Sequence, residues 1–282
     1  MPVTRRTWLF VPGADSAAHE AAARSGADVI VLELEDFTPP ELRPKARALS
    51  SKAFEMWRKA GAVAAVRINP LETCGREDLA GLAKADIVMM SKVASPEQIV
   101  SLEKATGNSV ELVPNVESAA GLLNAARIAK ASPRVTAMLV ASEDMVADLG
   151  TERSRGGEEL AYVRARFLVE CRAAGVEAID CPYTFSDVKG AVADARYARR
   201  LGYRMKSLVD PSHAKGINKI FTPDLGRARK IVHAFEKARS LGKDRAMVGG
   251  ALIEVPIYAA ARRLVESAAC SSPPARKRPR SG

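Results

Sequence analysis

No Gly-x-Gly-x-x-Gly and no Gly-x-x-x-x-Gly-Lys-Ser/Thr run occurs in these 282 residues, and Gly156-Gly157 and Gly249-Gly250 are isolated pairs. The loops that cradle dinucleotides and nucleoside triphosphates are therefore missing. Long apolar runs are missing too. Nothing approaches the roughly 18 apolar residues of a membrane helix, and Met1 to Arg6 lacks the apolar stretch of a secretory signal. A soluble, cytoplasmic protein with no membrane partner is expected. Cys74, Cys171, Cys181 and Cys270 are scattered without a Cys-x-x-Cys pair, so neither a zinc ribbon nor a disulfide framework is expected. Cys181 is a candidate nucleophile by position alone, with an inert buried thiol as the alternative.

Acidic residues are absent from one segment. The formal charge of +10 includes Arg276, Lys277, Arg278 and Arg280, all in a tail without a carboxylate, so the body carries only +6. That Pro-, Ser- and Arg-rich tail, 271–282, is expected to be disordered and solvated. No aromatic residue or periodicity accompanies its charges, and no nucleic-acid partner is expected.

What the chain does have is eight short runs rich in Val, Ile, Leu and Met. They are Thr7–Val11, Asp28–Glu35, Ala62–Ile68, Ile87–Val93, Val110–Val116, Val135–Ala141, Glu177–Cys181 and Met205–Val209. Strands buried on both faces read this way. The stretches between them, such as Asp15–Ser25, Pro44–Ala60, Pro96–Thr106, Ala119–Ala131, Glu158–Ala174 and Asp187–Leu201, have helical spacing, with Pro44 and Pro96 where a first turn tolerates proline. Eight strand–helix alternations predict an α/β fold, a (β/α)8 TIM barrel with a C-terminal helical extension. The barrel is assigned to 1–222 and an extension or lid to 223–270, with helices over Pro223–Leu241 and Pro256–Ala268 joined by a loop from Gly242 to Gly250.

Barrels of this kind collect their active-site residues at the C-terminal strand ends. Here those ends carry Pro12-Gly13, Glu35-Asp36, Arg67-Asn69, Lys92, Asn115-Glu117, Ser142-Glu143-Asp144, Asp180 to Tyr183 and Asp210 to His213, so five of the eight are acidic. Carboxylates crowded into one mouth raise each other's pKa unless a cation joins them, and a divalent metal answers that need. His19 and His233 read as surface or packing residues, whereas His213 lies near the mouth.

At these ends the chain resembles the citrate lyase β-subunit-like branch of the HpcH/HpaI aldolase family, relatives of malyl-CoA and citramalyl-CoA lyases. The resemblance rests on Arg6-Thr7-Trp8-Leu9-Phe10-Val11-Pro12-Gly13, Ser25-Gly26-Ala27-Asp28, Leu34-Glu35-Asp36, Val66-Arg67-Ile68-Asn69, Pro114 with Glu117, Glu143-Asp144 before Asp148-Leu149-Gly150, and Ala178-Ile179-Asp180. It implies Glu117 and Asp144 as Mg2+ ligands, hard oxygens for a hard ion. It also implies Arg67 as the fork on a substrate carboxylate or enolate, with Glu35 and Asp36 orienting it or metal-bound water. A helix cap is the other reading of Glu35 and Asp36. Glu254, in Gly250-Ala251-Leu252-Ile253-Glu254-Val255-Pro256, stands where the family has an Asp that exchanges a proton, contributed by a neighbouring subunit.

The chain departs from the family pattern at Ser91-Lys92, at Val140-Ala141 and over Met205 to His213, and a usual lysine is replaced near Ala21. Arg5 and Arg6 are the cations expected to compensate in substrate binding. The reaction so implied is Mg2+-dependent carbon–carbon cleavage or condensation of a β-hydroxy acyl-CoA or citrate-like substrate by a homotrimer or homohexamer. Alternatives are an aldolase acting on a free 2-oxo acid without CoA, Schiff-base chemistry at Lys92 or Lys206, and an inactive family member with a binding role.

Overall fold

A computed structural model describes residues 5–107 and 110–270; the tail expected over 271–282 lies outside the described residues. In the first half of the chain, strands and helices alternate as β1 (Thr7–Pro12), α1 (Ser16–Ser25), β2 (Val29–Glu33), α2 (Arg43–Lys59), β3 (Val63–Ile68), α3 (Gly75–Gly81), β4 (Ile87–Met90), α4 (Pro96–Ala105) and β5 (Glu111–Val116). Next come α5 (Ala119–Leu123), α6 (Ala125–Ala129), β6 (Ala137–Val140), α7 (Glu143–Leu149), α8 (Ala161–Ala174), β7 (Glu177–Asp180), α9 (Val188–Leu201), β8 (Met205–Leu208) and α10 (Ala214–Phe221). The last elements are α11 (Leu225–Ser240), β9 (Ala246–Val248), β10 (Ala251–Ile253) and α12 (Val255–Cys270).

Strands β1 to β8 close into one parallel barrel in sequence order, with Thr7–Leu9 of β1 returning to pair with Lys206–Leu208 of β8. This is the (β/α)8 architecture that the strand–helix alternation predicts. Because side chains alternate across a strand, the core has two layers. Trp8, Phe10, Val29, Val31, Ala65, Ile87, Met89, Val113, Leu139, Ile179 and Met205 fill the barrel interior. Their sequence neighbours Leu9, Val11, Ile30, Leu32, Val66, Val88, Leu112, Met138 and Ala178 pack outward with Phe54, Trp57, Phe167 and other helical residues.

The helices start where the sequence says they should. Pro96 occupies the first turn of α4 behind a Ser95–Gln98 capping box, and the carboxylates of Asp15, Asp187 and Asp224 accept the free N–H groups of α1, α9 and α11. Two expectations need correction. The helix expected over Ala119–Ala131 is split into α5 and α6 at Asn124, whose side-chain amide donates to the Ala94 carbonyl at 3.0 Å. The loop expected over Gly242 to Gly250 contains β9, which pairs antiparallel with β10. Gly249 and Gly250 both have positive φ, +58° and +78°, and provide the two left-handed residues of a tight hairpin turn.

Two compact units result, one spanning Thr4–Phe221 and the other formed from Thr222 onward. The second has its own core of Ala228, Ile231, Phe235, Ile253, Tyr258 and Ala261, with the Phe235 and Tyr258 rings stacked at 4.5 Å. No helix among the described residues is long and apolar enough to cross a membrane.

Candidate active site at the barrel mouth

The alternation that directs Val29 and Val31 inward carries Glu33 inward at the end of β2; in β3 the same parity turns Ala65 and then Arg67 toward the axis. The two side chains meet there, Arg67 Nε donating to Glu33 Oε1 at 2.8 Å. Glu33 is fully buried and also accepts the backbone N–H groups of Glu35 (2.6 Å) and Phe37 (2.5 Å). It therefore shapes the turn after β2 and fixes the guanidinium at once. Gly13 allows the close approach this requires: a Cβ there would lie 2.8 Å from the Glu33 carbonyl oxygen and from the Ala46 Cβ.

Around Arg67 the carboxylates accumulate. Its terminal nitrogens lie 3.2 Å from Glu35, 3.4 Å from Asp36 and 3.7 Å from Glu117, while its face covers the Phe10 ring at 5.2 Å. Burial works against the Arg67 charge, but Glu33, Glu35 and Glu117 outweigh it and raise its pKa. Glu35 is buried and ion-paired with Lys92 Nζ at 2.6 Å, although neither Glu35 oxygen gains an aligned hydrogen bond. Burial, opposed by Arg67 and Lys92, leaves the Glu35 carboxyl above the usual range. Lys92 holds that ammonium from a left-handed backbone (φ +55°), a conformation a non-glycine residue keeps only where its surroundings enforce it.

Glu117 is the least satisfied of these groups. It is 3% exposed, and neither side-chain oxygen has a hydrogen-bond partner. Burial pushes its carboxyl up to about 8; Arg67 opposes that rise, and the nearby Glu35 and Asp144 add to it. Asp144, in the first turn of α7, is half-buried and close enough to be felt by both Glu117 and Lys92. Five carboxylates, Glu33, Glu35, Asp36, Glu117 and Asp144, thus share the cations Arg67 and Lys92. Among the described residues no three acidic, His or Cys side chains form a ready-made metal cage. Two oxygen ligands with an open face suit a divalent cation that keeps water and takes its remaining oxygens from substrate, and the orphaned oxygens of Glu117 fit that need.

Arg67, Glu35, Asp36, Glu117 and Asp144 are therefore brought together. Glu35 and Asp36 do not cap a helix, since the next helical turn begins at Pro40. Arg6 is a correction. It precedes β1, at the opposite end of the barrel from the mouth, and its backbone N–H and guanidinium bind Asp28 at 2.7–2.9 Å. Arg5 pairs with Glu111, the first residue of β5, at that same end. Glu254 lies in the second unit, exposed, with its backbone carbonyl accepting from Ile257 and Tyr258 in the first turn of α12.

Other strand-end candidates turn away from the axis. Asp180 and Lys206 have the parity of Ala178 and Leu208, so both point into the strand–helix layer, where Lys206 Nζ lies 2.6 Å from Asp180 and 2.5 Å from Asp194. Lys206 is fully buried, and these carboxylates overcome the cost of burial and raise its pKa, which works against the neutral amine that Schiff-base chemistry needs. Burial pushes the Cys181 thiol up to about 12, which removes it as a nucleophile. His213 is buried against Tyr183, with Nε2 3.4 Å from the Ser186 carbonyl.

Two residues at the mouth, Glu33 and Arg153, escape a reading of strand ends alone, whereas Asn115 is one of those ends. Glu33 lies two residues before the expected Glu35. Asn115 lies two before Glu117, buried and without a hydrogen-bond partner. Both continue the inward parity of their strands, a signal visible as Val29-x-Val31-x-Glu33 and Val113-x-Asn115-x-Glu117. Arg153 comes from the loop after α7 and pairs with Glu143 at 3.1 Å and with Glu159.

The pattern of the HpcH/HpaI aldolase/citrate lyase family matches residues 6–211. The citrate lyase subunit beta of Leuconostoc mesenteroides subsp. cremoris is 31% identical over 281 residues, covering 94% of this chain and 93% of that protein. The (3S)-malyl-CoA thioesterase of Cereibacter sphaeroides is 31% identical over 262 residues, covering 88% of this chain and 89% of its own. Among solved structures, CitE from Mycobacterium tuberculosis in complex with magnesium, acetoacetate and coenzyme A superposes with a TM-score of 0.75 at 26% identity, covering 95% of this chain and all of that one. The chain is a member of the HpcH/HpaI aldolase/citrate lyase family, with the barrel of the CitE proteins and a cluster of carboxylates around Arg67 at its mouth.

Proposed function

We propose that this protein is a Mg2+-dependent carbon–carbon lyase that cleaves or forms the bond between an acyl-CoA-derived or citrate-like enolate and a 2-oxo acid. The observation that carries this reading is Glu117, buried, with both oxygens unpartnered and its carboxyl raised to about 8 beside Asp144 and Arg67. Glu117 and Asp144 would hold the ion, and Mg2+ is the metal in the CitE complex that the barrel resembles. When bound, Mg2+ supplies Lewis-acid polarisation of a substrate oxygen and electrostatic stabilisation of enolate charge.

The protein's own groups do the rest. Arg67 offers a planar fork to the substrate carboxylate, and Glu33 keeps that fork in one orientation so that little ordering remains at the moment of reaction. Glu35 and Asp36 orient the other edge of the guanidinium, and Lys92 holds Glu35 in place. Proton exchange at the nascent carbon acid is assigned to Glu254 contributed by a neighbouring subunit of the oligomer. Its carboxylate is one methylene longer than the family's Asp and is exposed at the head of α12. A homotrimer or homohexamer remains the proposed assembly.

Two alternatives have specific support. The thioesterase relative is as similar in percentage identity as the lyase subunit, which favours thioester hydrolysis. The attachment of Arg6 to Asp28 removes a cation counted on for CoA, which favours a CoA-free 2-oxo acid aldolase. One experiment separates them: purified protein is incubated with malyl-, methylmalyl- and citramalyl-CoA, with Mg2+ and with EDTA, and the products are identified by mass spectrometry. A lyase releases a shorter acyl-CoA and a 2-oxo acid in the Mg2+ arm only, and Glu117→Gln abolishes this. Free CoA with an intact hydroxy acid identifies a thioesterase. No turnover of any thioester transfers the assignment to a free acid.

A further inference from the structure

Asn115 has no part in the assignments above, yet its surroundings are the least explained in the barrel. The residue is fully buried, and neither Oδ1 nor Nδ2 has a hydrogen-bond partner. A strand position facing the interior is normally apolar, as Val113 is two residues earlier. A buried amide left unmatched there is costly, and in native proteins such a group calls for a partner that arrives from outside the chain.

Its place in the barrel says which partner. In an eight-stranded barrel of shear 8 the register climbs by about one residue per strand, and alternate strands contribute to one layer. Following the pairs Pro12 with Glu33, Glu33 with Arg67, Arg67 with Met89 and Met89 with Val113, that climb puts Phe10 of β1, Arg67 of β3 and Asn115 of β5 in a single layer. The contact of the Arg67 guanidinium with the Phe10 ring at 5.2 Å agrees with this. Asn115 therefore belongs to the floor of the mouth, level with Arg67 and one inward position below Glu117.

The chemistry of the other polar groups at the mouth leaves it a distinct task. Glu33, Glu35, Glu117 and Asp144 as carboxylates only accept, and Arg67 and Lys92 only donate. A carboxamide does both within one side chain. We infer that the Asn115 amide is a specificity-determining contact, accepting the hydroxyl proton of a hydroxy-acid substrate at Oδ1 and donating from Nδ2 to an adjacent substrate oxygen. The site thereby selects hydroxylated acids over their deoxy analogues. This rests on the reading that Arg67 takes the substrate carboxylate, and it deepens that reading by naming the group that recognises the hydroxyl.

The test is binding rather than turnover. Affinities of wild type and Asn115→Leu for malate and for succinate, which differ by one hydroxyl, are measured by calorimetry in the presence of Mg2+. Wild type is expected to prefer malate, and the preference is expected to fall about tenfold or more in Asn115→Leu, since a hydrogen-bonding site discriminates strongly against a ligand lacking its partner. The melting temperature of the variant should be equal or higher, because an unmatched buried amide has been removed. An unchanged malate-to-succinate ratio, or no binding of either acid by wild type, overturns the inference. A lower melting temperature with an unchanged ratio identifies a structural amide. Asn115→Val, smaller and suited to a strand, repeats the measurement if leucine does not fit. Thioester cleavage by the same wild-type preparation reports on the lyase reading separately, so either claim can fail alone.

Discussion

Two buried clusters of charge lie within this barrel, and they are built differently. Between β7, β8, α8 and α9, Arg164 and Lys206 face Asp180 and Asp194, two cations for two anions. Arg164 donates to Asp180 at 2.8 and 2.7 Å and to Asp194 at 2.7 Å. At the mouth, Arg67 and Lys92 serve five carboxylates, and the oxygens of Glu35 and Glu117 lack hydrogen bonds. In the first cluster charges and hydrogen bonds match; in the second, carboxylates outnumber cations and buried oxygens go without hydrogen-bond partners. The comparison teaches that burial of charge marks function where the charges and hydrogen bonds do not balance.

The sharpest way to break the comparison is to alter each cluster and read activity and stability together. Arg67→Lys keeps the charge but loses the planar fork; kcat/KM in the Mg2+-dependent cleavage assay is expected to drop by about 10²–10³-fold. Lys206→Met leaves Asp180 and Asp194 with fewer cations and should lower unfolding free energy by about 3–5 kcal/mol in denaturant titration, while kcat per folded molecule is unchanged. Equal losses of kcat in both variants would erase the distinction.

A smaller effect sharpens it by pH. Glu117 has a folded pKa of about 8, above that of an ordinary carboxyl, so its protonated form contributes stability that is full below the unfolded value and is lost as pH rises toward and through about 8. The melting temperature of EDTA-treated protein should therefore fall between about pH 5 and pH 8. Mg2+ should recover more stability at pH 8 than at pH 6, and Glu117→Gln should flatten the profile. In the outer cluster the sign reverses. Burial tends to raise Asp194, but Lys206 and Arg164 outweigh it and hold its carboxyl at about 2. Its contribution is present above the unfolded carboxyl value and is lost only as pH falls through about 2, so Asp194→Asn should cost stability at pH 7.

The smallest effect belongs to Arg6. Its partner Asp28 lies at the N-terminal end of the strands, so Arg6→Ala should leave KM unchanged and cost about 1 kcal/mol in denaturant titration.

Much of this was legible before folding. Apolar runs such as Val29–Glu33 and Ile87–Met90, separated by helices with Pro or Asp at their starts, dictate buried parallel strands, and the direction of the chain then collects Glu35, Arg67, Glu117 and Asp144 at one end. The hairpin of β9 and β10 was less legible because its strands are three residues each, too short for alternation to stand out from a glycine-flanked loop. Which charges meet was decided only in three dimensions. Asp180 and Glu117 are both acids at strand ends, but one faces α8 and α9 and the other faces Arg67. Arg6 and Arg67 are both arginines on the barrel, at opposite ends of it. Sequence by itself determined which residues form strands and in which direction they run, because hydrophobic period and local capping act within a few neighbours. Only the closed barrel decided partners and protonation, because these depend on parity, register and loss of water among residues that the chain separates by tens of positions.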